Sequence, residues 1–227
     1  MDHRIKGSLL PVLEVILEDG EKIVAQSGEL SWISDAISMR PVAGPLGGAL
    51  GRVLGGQSFL LTEYSAKGDQ GMVGFAAKMP GNFIPLDIDG SSYFSHRHGF
   101  VAGESSVSVS IGFQKSFSAG IWGGDGFVLQ KLSGKGRCWV ELSGEVVEYN
   151  LQPGEHLRIH PGHVGIFEES VHFDMTTIPG IANKVFGQEQ FFLARLGGPG
   201  HVWLQSMPLA QLASALLDFF PKPQPQG

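Results

Sequence analysis

Two histidines one residue apart, His96 and His98, form the pattern in this chain best suited to chemistry. Residues two apart on a β-strand point to the same face, so both imidazoles could ligate one metal ion such as iron or manganese. Gly90 precedes the pair, Glu104 follows it, and His160 and His163 lie further along. A metal held by His96, His98 and His163 would make the chain a metal-dependent enzyme. Cys138 is the lone cysteine. Beside Trp139, in a segment that reads as a strand, it is expected to be a small buried hydrophobe and not a nucleophile. A single cysteine excludes a disulfide within the chain and a zinc-ribbon site, and points to a reducing compartment.

The histidine spacing is similar to the metal motif of cupins, with two departures. Glu104 stands one residue too far from His98, and Pro161 and Gly162 are adjacent where that pattern has a spacer. Counted back from Gly99, His96 aligns with Ala25 and Ile159 of two related segments, which read as inward-facing core. A satisfied core histidine is the simpler reading. Other enzyme signals are missing. No Gly-rich loop ends in Lys-Ser or Lys-Thr, and Gly103-Glu104-Ser105 continues to Val107 instead of the glycine a nucleophile elbow needs. The sequence therefore favours a non-enzymatic protein with no cofactor.

The elements that would carry these residues come as a repeat. The blocks Phe59–Gly68, Phe127–Gly136 and Phe191–Gly200 each run from a Phe to a Gly nine residues on. Gly55, Gly123 and Gly187 stand four residues before each Phe, preceded by the apolar pairs Val53-Leu54, Ile121-Trp122 and Val185-Phe186. Twelve residues after each Phe come Gly71, Trp139 and Trp203. Upstream, Gly20, Gly90 and Gly154 open a second marker that leads to Gly28, Gly99 and Gly162. Recurrence in one order at nearly fixed offsets predicts three copies of one β-rich module, over about residues 5–74, 75–143 and 144–206.

Period-two patterning in Ser105–Ile111 predicts a half-buried strand, and Leu13–Leu17 a strand ending at the turn Glu18-Asp19-Gly20. The runs Phe127-Val128-Leu129 and Phe191-Phe192-Leu193 predict strands buried on both faces. Glycine, at 33 residues, suits many tight turns. Leu209, Leu212, Leu216, Leu217 and Phe220 follow helical spacing, which predicts a helix over 207–220 capped by Ser206 and ended by Pro221. A module of about 65 residues has little core of its own, so three copies are expected to bury their open faces against one another. The fold class is all-β: three intertwined β-sandwich repeats with pseudo-threefold symmetry in one unit, 1–206, with a flexible tail at 221–227.

The Gly-Gly-x-x-Phe-x-Leu blocks, the stretch Gly198–Gln205 and Gly47–Arg52 resemble the altered-inheritance-of-mitochondria family number twenty-four, also called the mitochondrial biogenesis family. The resemblance spans about residues 5–206. It implies three intertwined β-sandwich repeats, each similar to a subunit of the tryptophan RNA-binding attenuation protein. Eukaryotic members of the family are associated with organisation of the mitochondrial inner membrane. The resemblance brings no catalytic residues.

The candidate interaction residues are the apolar pairs and their neighbour: Leu50, Val53, Leu54, Ile121, Trp122, Val185 and Phe186. Either they tuck into the core at module boundaries, or they are exposed and contact a protein partner, another copy or a membrane surface. Nucleic acid fits poorly: the net charge is −6, and the small basic cluster Lys115, Lys131, Lys135 and Arg137 suits a solvated face. The N-terminus lacks the apolar core of a signal peptide and no apolar run reaches 18 residues, so a cytoplasmic chain is expected. The leading reading is an interaction or scaffolding protein. RNA or small-ligand binding at module junctions is a further alternative.

Overall fold

The computed structural model describes residues 1–42, 60–115, 127–177, 192–217 and 219. Among them are eighteen strands and one α-helix. The first strand, β1 (Asp2–Lys6), pairs antiparallel with β2. The next six strands are β2 (Val12–Leu17), β3 (Lys22–Gln26), β4 (Trp32–Ile33), β5 (Ile37–Val42), β6 (Leu61–Ala66) and β7 (Gly71–Ala76). The second set is β8 (Gly81–Asp89), β9 (Tyr93–His96), β10 (Phe100–Glu104), β11 (Val107–Lys115) and the long β12 (Phe127–Ser143). The third is β13 (Val146–Leu151), β14 (His156–Ile159), β15 (Val164–Glu168), β16 (His172–Thr177), β17 (Phe192–Gly197) and β18 (Gly200–Gln205).

One pairing scheme occurs in each set. The opening strand pairs with the closing one: β2 with β7, β8 with the second half of β12, β13 with β18. The second pairs with the fifth: β3 with β6, β9 with the first half of β12, β14 with β17. The third joins the closing strand and the fourth joins the fifth in all three. β12 serves as both fifth and closing strand, passing through Gly134 and Gly136 with φ of 106° and 131°. The turn from opening to second strand reuses glycine with φ of 81°, 87° and 86° at Gly20, Gly90 and Gly154, which explains that sequence marker.

The units join through backbone pairing. β10 of the second unit pairs with β3 of the first, Ala102 opposite Ala25. β15 of the third pairs with β9 of the second, Ile166 opposite Ser95. The cores straddle these seams. Val101, Ala102 and Trp139 pack into the first unit's core with Leu13, Val15, Ile23 and Ala25. Ile166 and Trp203 pack into the second unit's core with Leu86, Ile88 and Val140. Burial of module faces against neighbours, as expected from their small size, is what these two seams do. Among the described residues, the outer edges of β4 and β14 have no strand partner.

Strand register corrects the gapless alignment of the units. Leu17, Ile88 and Leu151 of the opening strands sit opposite Gly71, Gly136 and Gly200. The hairpin before β7 therefore holds three extra residues, and the counterpart of Trp139 and Trp203 is Gly74, not Gly71. Likewise Gln26 and His96 both pair two residues past the block Phe, opposite Leu61 and Leu129. His96 thus corresponds to Gln26 and His160, not to Ala25 and Ile159. The turns after β3, β9 and β14 differ, so Gly28, with φ of 94°, has no geometric counterpart in Gly99 or Gly162.

Other expectations hold with shifted bounds. Val107 and Val109 are buried on alternate positions of β11, whereas Ser105 and Ser106 form the preceding turn. Phe127–Gln130 is buried throughout, but Phe192 and Leu193 are only half-buried. The helix α1 (Leu209–Leu217) starts after Pro208, whose carbonyl accepts the Gln211 and Leu212 N–H groups. Ser206 does not cap it: its hydroxyl oxygen accepts the Glu145 N–H at 2.8 Å. Phe220 and residues 221–227 lie outside the described residues.

Candidate functional site

The histidines are held by structure. His96 Nε2–H donates to the Glu141 carbonyl at 2.9 Å across the sheet. Burial lowers its pKa to about 4, and the nearby His98 acts in the same direction while the carbonyl opposes it. A neutral imidazole is the result. The Glu141 carboxylate, also buried, accepts the Lys78 N–H at 3.0 Å, and Lys78 Nζ pairs with buried Glu29. Burial raises the Glu141 pKa, the Lys78 contacts lower it, and the charge of Glu29 adds to the rise. His98 is exposed. His163 Nδ1–H donates to the Gln205 carbonyl at 2.8 Å, and His160 Nδ1 accepts from Gly162 N–H and Gln211 Nε2, tying α1 to β18 and its neighbouring turn. Among the described residues no three His, Cys, Asp or Glu side chains are grouped to hold a metal ion. Cys138 is fully buried and its thiol is pushed up to about 12, with burial the main cause. It is inert as a nucleophile.

Three of the four residues of the basic cluster are ion-paired, and the side chain of Lys115 lies outside what is described. Lys131 pairs with Glu169 at 2.6 Å, Lys135 with Asp89 at 3.4 Å and Arg137 with Asp87 at 2.6 Å. The candidate residues Leu50, Val53, Leu54, Ile121, Trp122, Val185 and Phe186 lie outside the described residues. Their flanking strands are equivalent in all three units: fourth and fifth, β5 and β6, β11 and β12, β16 and β17.

Two concave surfaces stand out instead. The first lies where the second and third units meet. Phe94 and Phe167 stack at 5.1 Å, Phe167 and Phe173 at 5.6 Å, and Phe173 and Phe127 at 5.8 Å. Phe94, Phe113, Phe167 and Phe173 border a cleft of about 370 Å³ that Glu169 and His172 also line, with Phe127 behind Phe113 and Phe173. A side chain on Gly112 would collide with the Phe94 ring.

The second is the open face of the third unit, about 410 Å³ in volume. Val147 and Tyr149 of β13, Leu157 and Ile159 of β14, and Leu204 of β18 line it. By register their first-unit counterparts are Leu13, Val15, Ile23, Ala25 and Phe75. Those five are at most 1% exposed, whereas Val147 is 45% and Tyr149 41% exposed. The cause is topological. Trp139 and Ala102 of the next unit close the first core, and among the described residues no such pair closes the third. Sequence reading missed this surface because its residues have the same apolar types as the closed cores.

A β-rich chain with three tandem pairing units matches one class of protein. The model of the family Mitochondrial biogenesis AIM24 matches residues 3–207, and the chain belongs to that family. It is similar to an uncharacterized protein of Streptococcus pyogenes serotype M6, 22% identical over 234 residues, covering 97% of this chain and 93% of that one. The fold is shared with the X-ray crystal structure of a Streptococcus pyogenes protein, at a TM-score of 0.76 and 21% identity over 96% of this chain and 99% of the other. No described helix is long and apolar enough to cross a membrane.

Proposed function

We propose that the chain is a non-enzymatic interaction protein whose β core holds contact surfaces in place. One observation carries this reading: at a cavity of the third unit Val147 and Tyr149 stand exposed, whereas their equivalents Leu13 and Val15 are sealed inside the first unit. An apolar surface of core composition is a docking surface in a folded chain. The Gly-rich apolar segments with Leu50, Val53, Leu54, Ile121, Trp122, Val185 and Phe186 are proposed as further contacts to a protein or membrane surface, since equivalent strands flank each of them. Affinity capture from native extract tests the reading. Tyr149→Arg is expected to abolish partners of the third-unit face, and Trp122→Ser with Phe186→Ser those of the segments. A catalytic turnover that His96→Ala removes from an otherwise folded chain would overturn it.

The phenylalanine cleft supports a second reading, a small apolar or aromatic ligand bound between the second and third units. Its volume falls at the low end for small-molecule sites, and apolar walls with few polar rim groups are their usual lining. Gly112→Leu would fill the space beside Phe94, and loss of an aromatic ligand's binding on that substitution, measured by calorimetry, is the expected result.

A further inference from the structure

At both internal seams one small construction repeats. A residue of the third strand and its cross-strand neighbour on the closing strand together enter the preceding unit's core. At the first seam the pair is Ala102 and Trp139. At the second it is Ile166 and Trp203, with Trp203 edge-on to Tyr93 at 6.2 Å. Each pair includes one indole, and that indole belongs to a core cluster shared with the opening strand of the unit before it.

The first unit carries the same pair with the sizes exchanged. Register places Trp32 of β4 at the position of Ala102 and Ile166, and Gly74 of β7 at the position of Trp139 and Trp203. The indole of Trp32 lies over Gly74, where any side chain would collide with it. One indole is thus kept, supplied by the other strand. Among the described residues nothing pairs with the outer edge of β4, and Trp32 is 43% exposed there.

The third unit holds the matching half. Among the described residues its second strand β14 has a free edge, in the place where β3 accepts β10 and β9 accepts β15. Beside that edge is the open face lined by Val147, Tyr149, Leu157, Ile159 and Leu204. Resting on the interaction reading above, we propose that the partner of this face is a second copy of this chain, joined head to tail: β4 adds to β14, and Trp32 enters the cavity. Continuing the internal register sets Trp32 opposite Ile159 and Ile33 opposite Arg158. The contact is heterologous, so each open assembly retains one free Trp32 end and one free cavity end unless it closes into a ring. Main-chain pairing supplies the continuation of the sheet, and the indole supplies the anchor.

The test is sedimentation of the full chain across a wide concentration range. Concentration-dependent oligomers are expected, with Trp32 emission shifting to the blue as they form. Trp32→Ala and Tyr149→Arg are each expected to weaken association by about thirtyfold or more, the scale of a buried interface tryptophan. Trp32→Phe is expected to retain part of it. Mixing Trp32→Ala with Tyr149→Arg restores one working end on each chain, so the mixture should form 1:1 dimers and nothing larger. Circular dichroism of each variant establishes that it folds. Three results overturn the proposal: a monomer at every concentration, oligomers indifferent to both variants, or variants that the mixture fails to rescue. A monomer in which the Trp32 emission is already blue-shifted would show the two ends meeting within one chain. A monomer that still captures another protein through Tyr149 would leave the interaction reading standing without this partner.

Discussion

The interior of the first unit and the open face of the third are built from the same positions of one strand scheme, yet one is sealed and the other is wet. Leu13 and Val15 are fully buried, while their counterparts Val147 and Tyr149 are more than two-fifths exposed. Local sequence does not account for this, because both sets are apolar and both lie on opening strands paired to closing strands in one register. The difference is the neighbour. The second unit inserts Ala102 and Trp139 into the first, and among the described residues no such pair enters the third. Burial is a property of the array, and an end unit keeps the core-type residues of an internal one.

The largest expected effect tests that contrast directly. Val15→Arg places a charge among fully buried residues and should leave no folded chain, or a loss above about 4 kcal/mol. Tyr149→Arg, at the equivalent place, should change the stability of the monomer by less than about 0.5 kcal/mol. Urea denaturation at low protein concentration measures both. Comparable losses would mean that the third unit's face is sealed in solution.

Next come the indoles. Trp139→Ala removes a side chain 1% exposed at the first seam and should cost about 3–5 kcal/mol. Trp32→Ala should cost the monomer under about 1 kcal/mol, because its ring already meets water. The oligomer, by contrast, should depend strongly on Trp32.

An intermediate effect is set by pH. The folded-state pKa of His96, about 4, lies below its ordinary 6.5. The unfolded chain therefore binds the proton first, and stability fully present above pH 6.5 is lost as pH falls toward 4. The loss is on the order of 2–3 kcal/mol. His96→Gln, which copies Gln26 of the first unit, should flatten that slope between pH 4 and 6.5. An unchanged slope would assign the acid sensitivity elsewhere, with Glu141 a poor candidate. Its pKa is raised, so its contribution is present at low pH and lost as pH rises through the folded value.

The smallest effect is at the exposed tryptophan. Gly74→Ala pushes a methyl group against the Trp32 ring. The ring can swing toward solvent, so a loss of about 1 kcal/mol is expected, together with a red shift of the Trp32 emission. If the emission does not move, the ring does not rest on Gly74.

Much of this architecture was legible in the chain itself. Alternation in β11, the strand and turn at Leu13–Gly20, the glycines at 20, 90 and 154, and the recurring Phe-to-Gly blocks gave an all-β array of like units, because turn chemistry and side-chain period are local properties. The terminal helix was legible too, though its start moved from Ser206 to Pro208, since Ser206 is drawn to Glu145 by the strand pairing. The alignment of the units failed at two places for one reason. Sequence counting assumed turns of equal length, whereas the hairpin before β7 is longer and the turns after β3, β9 and β14 differ. That error set Gly71 against the tryptophans, hid the Trp32–Gly74 exchange, and matched His96 to core alanine and isoleucine.

Composition and pattern determined the class of fold, the number of pairing units and the family, since these follow from periodicity, glycine placement and recurrence along the chain. The tertiary structure decided which apolar residues are core and which are surface. Exposure depends on whether another unit lies across the seam, and no residue carries that information in its own type. Val147 and Tyr149 are of the apolar types that fill the first unit's core, and they stand open in the fold because no described unit lies across from them.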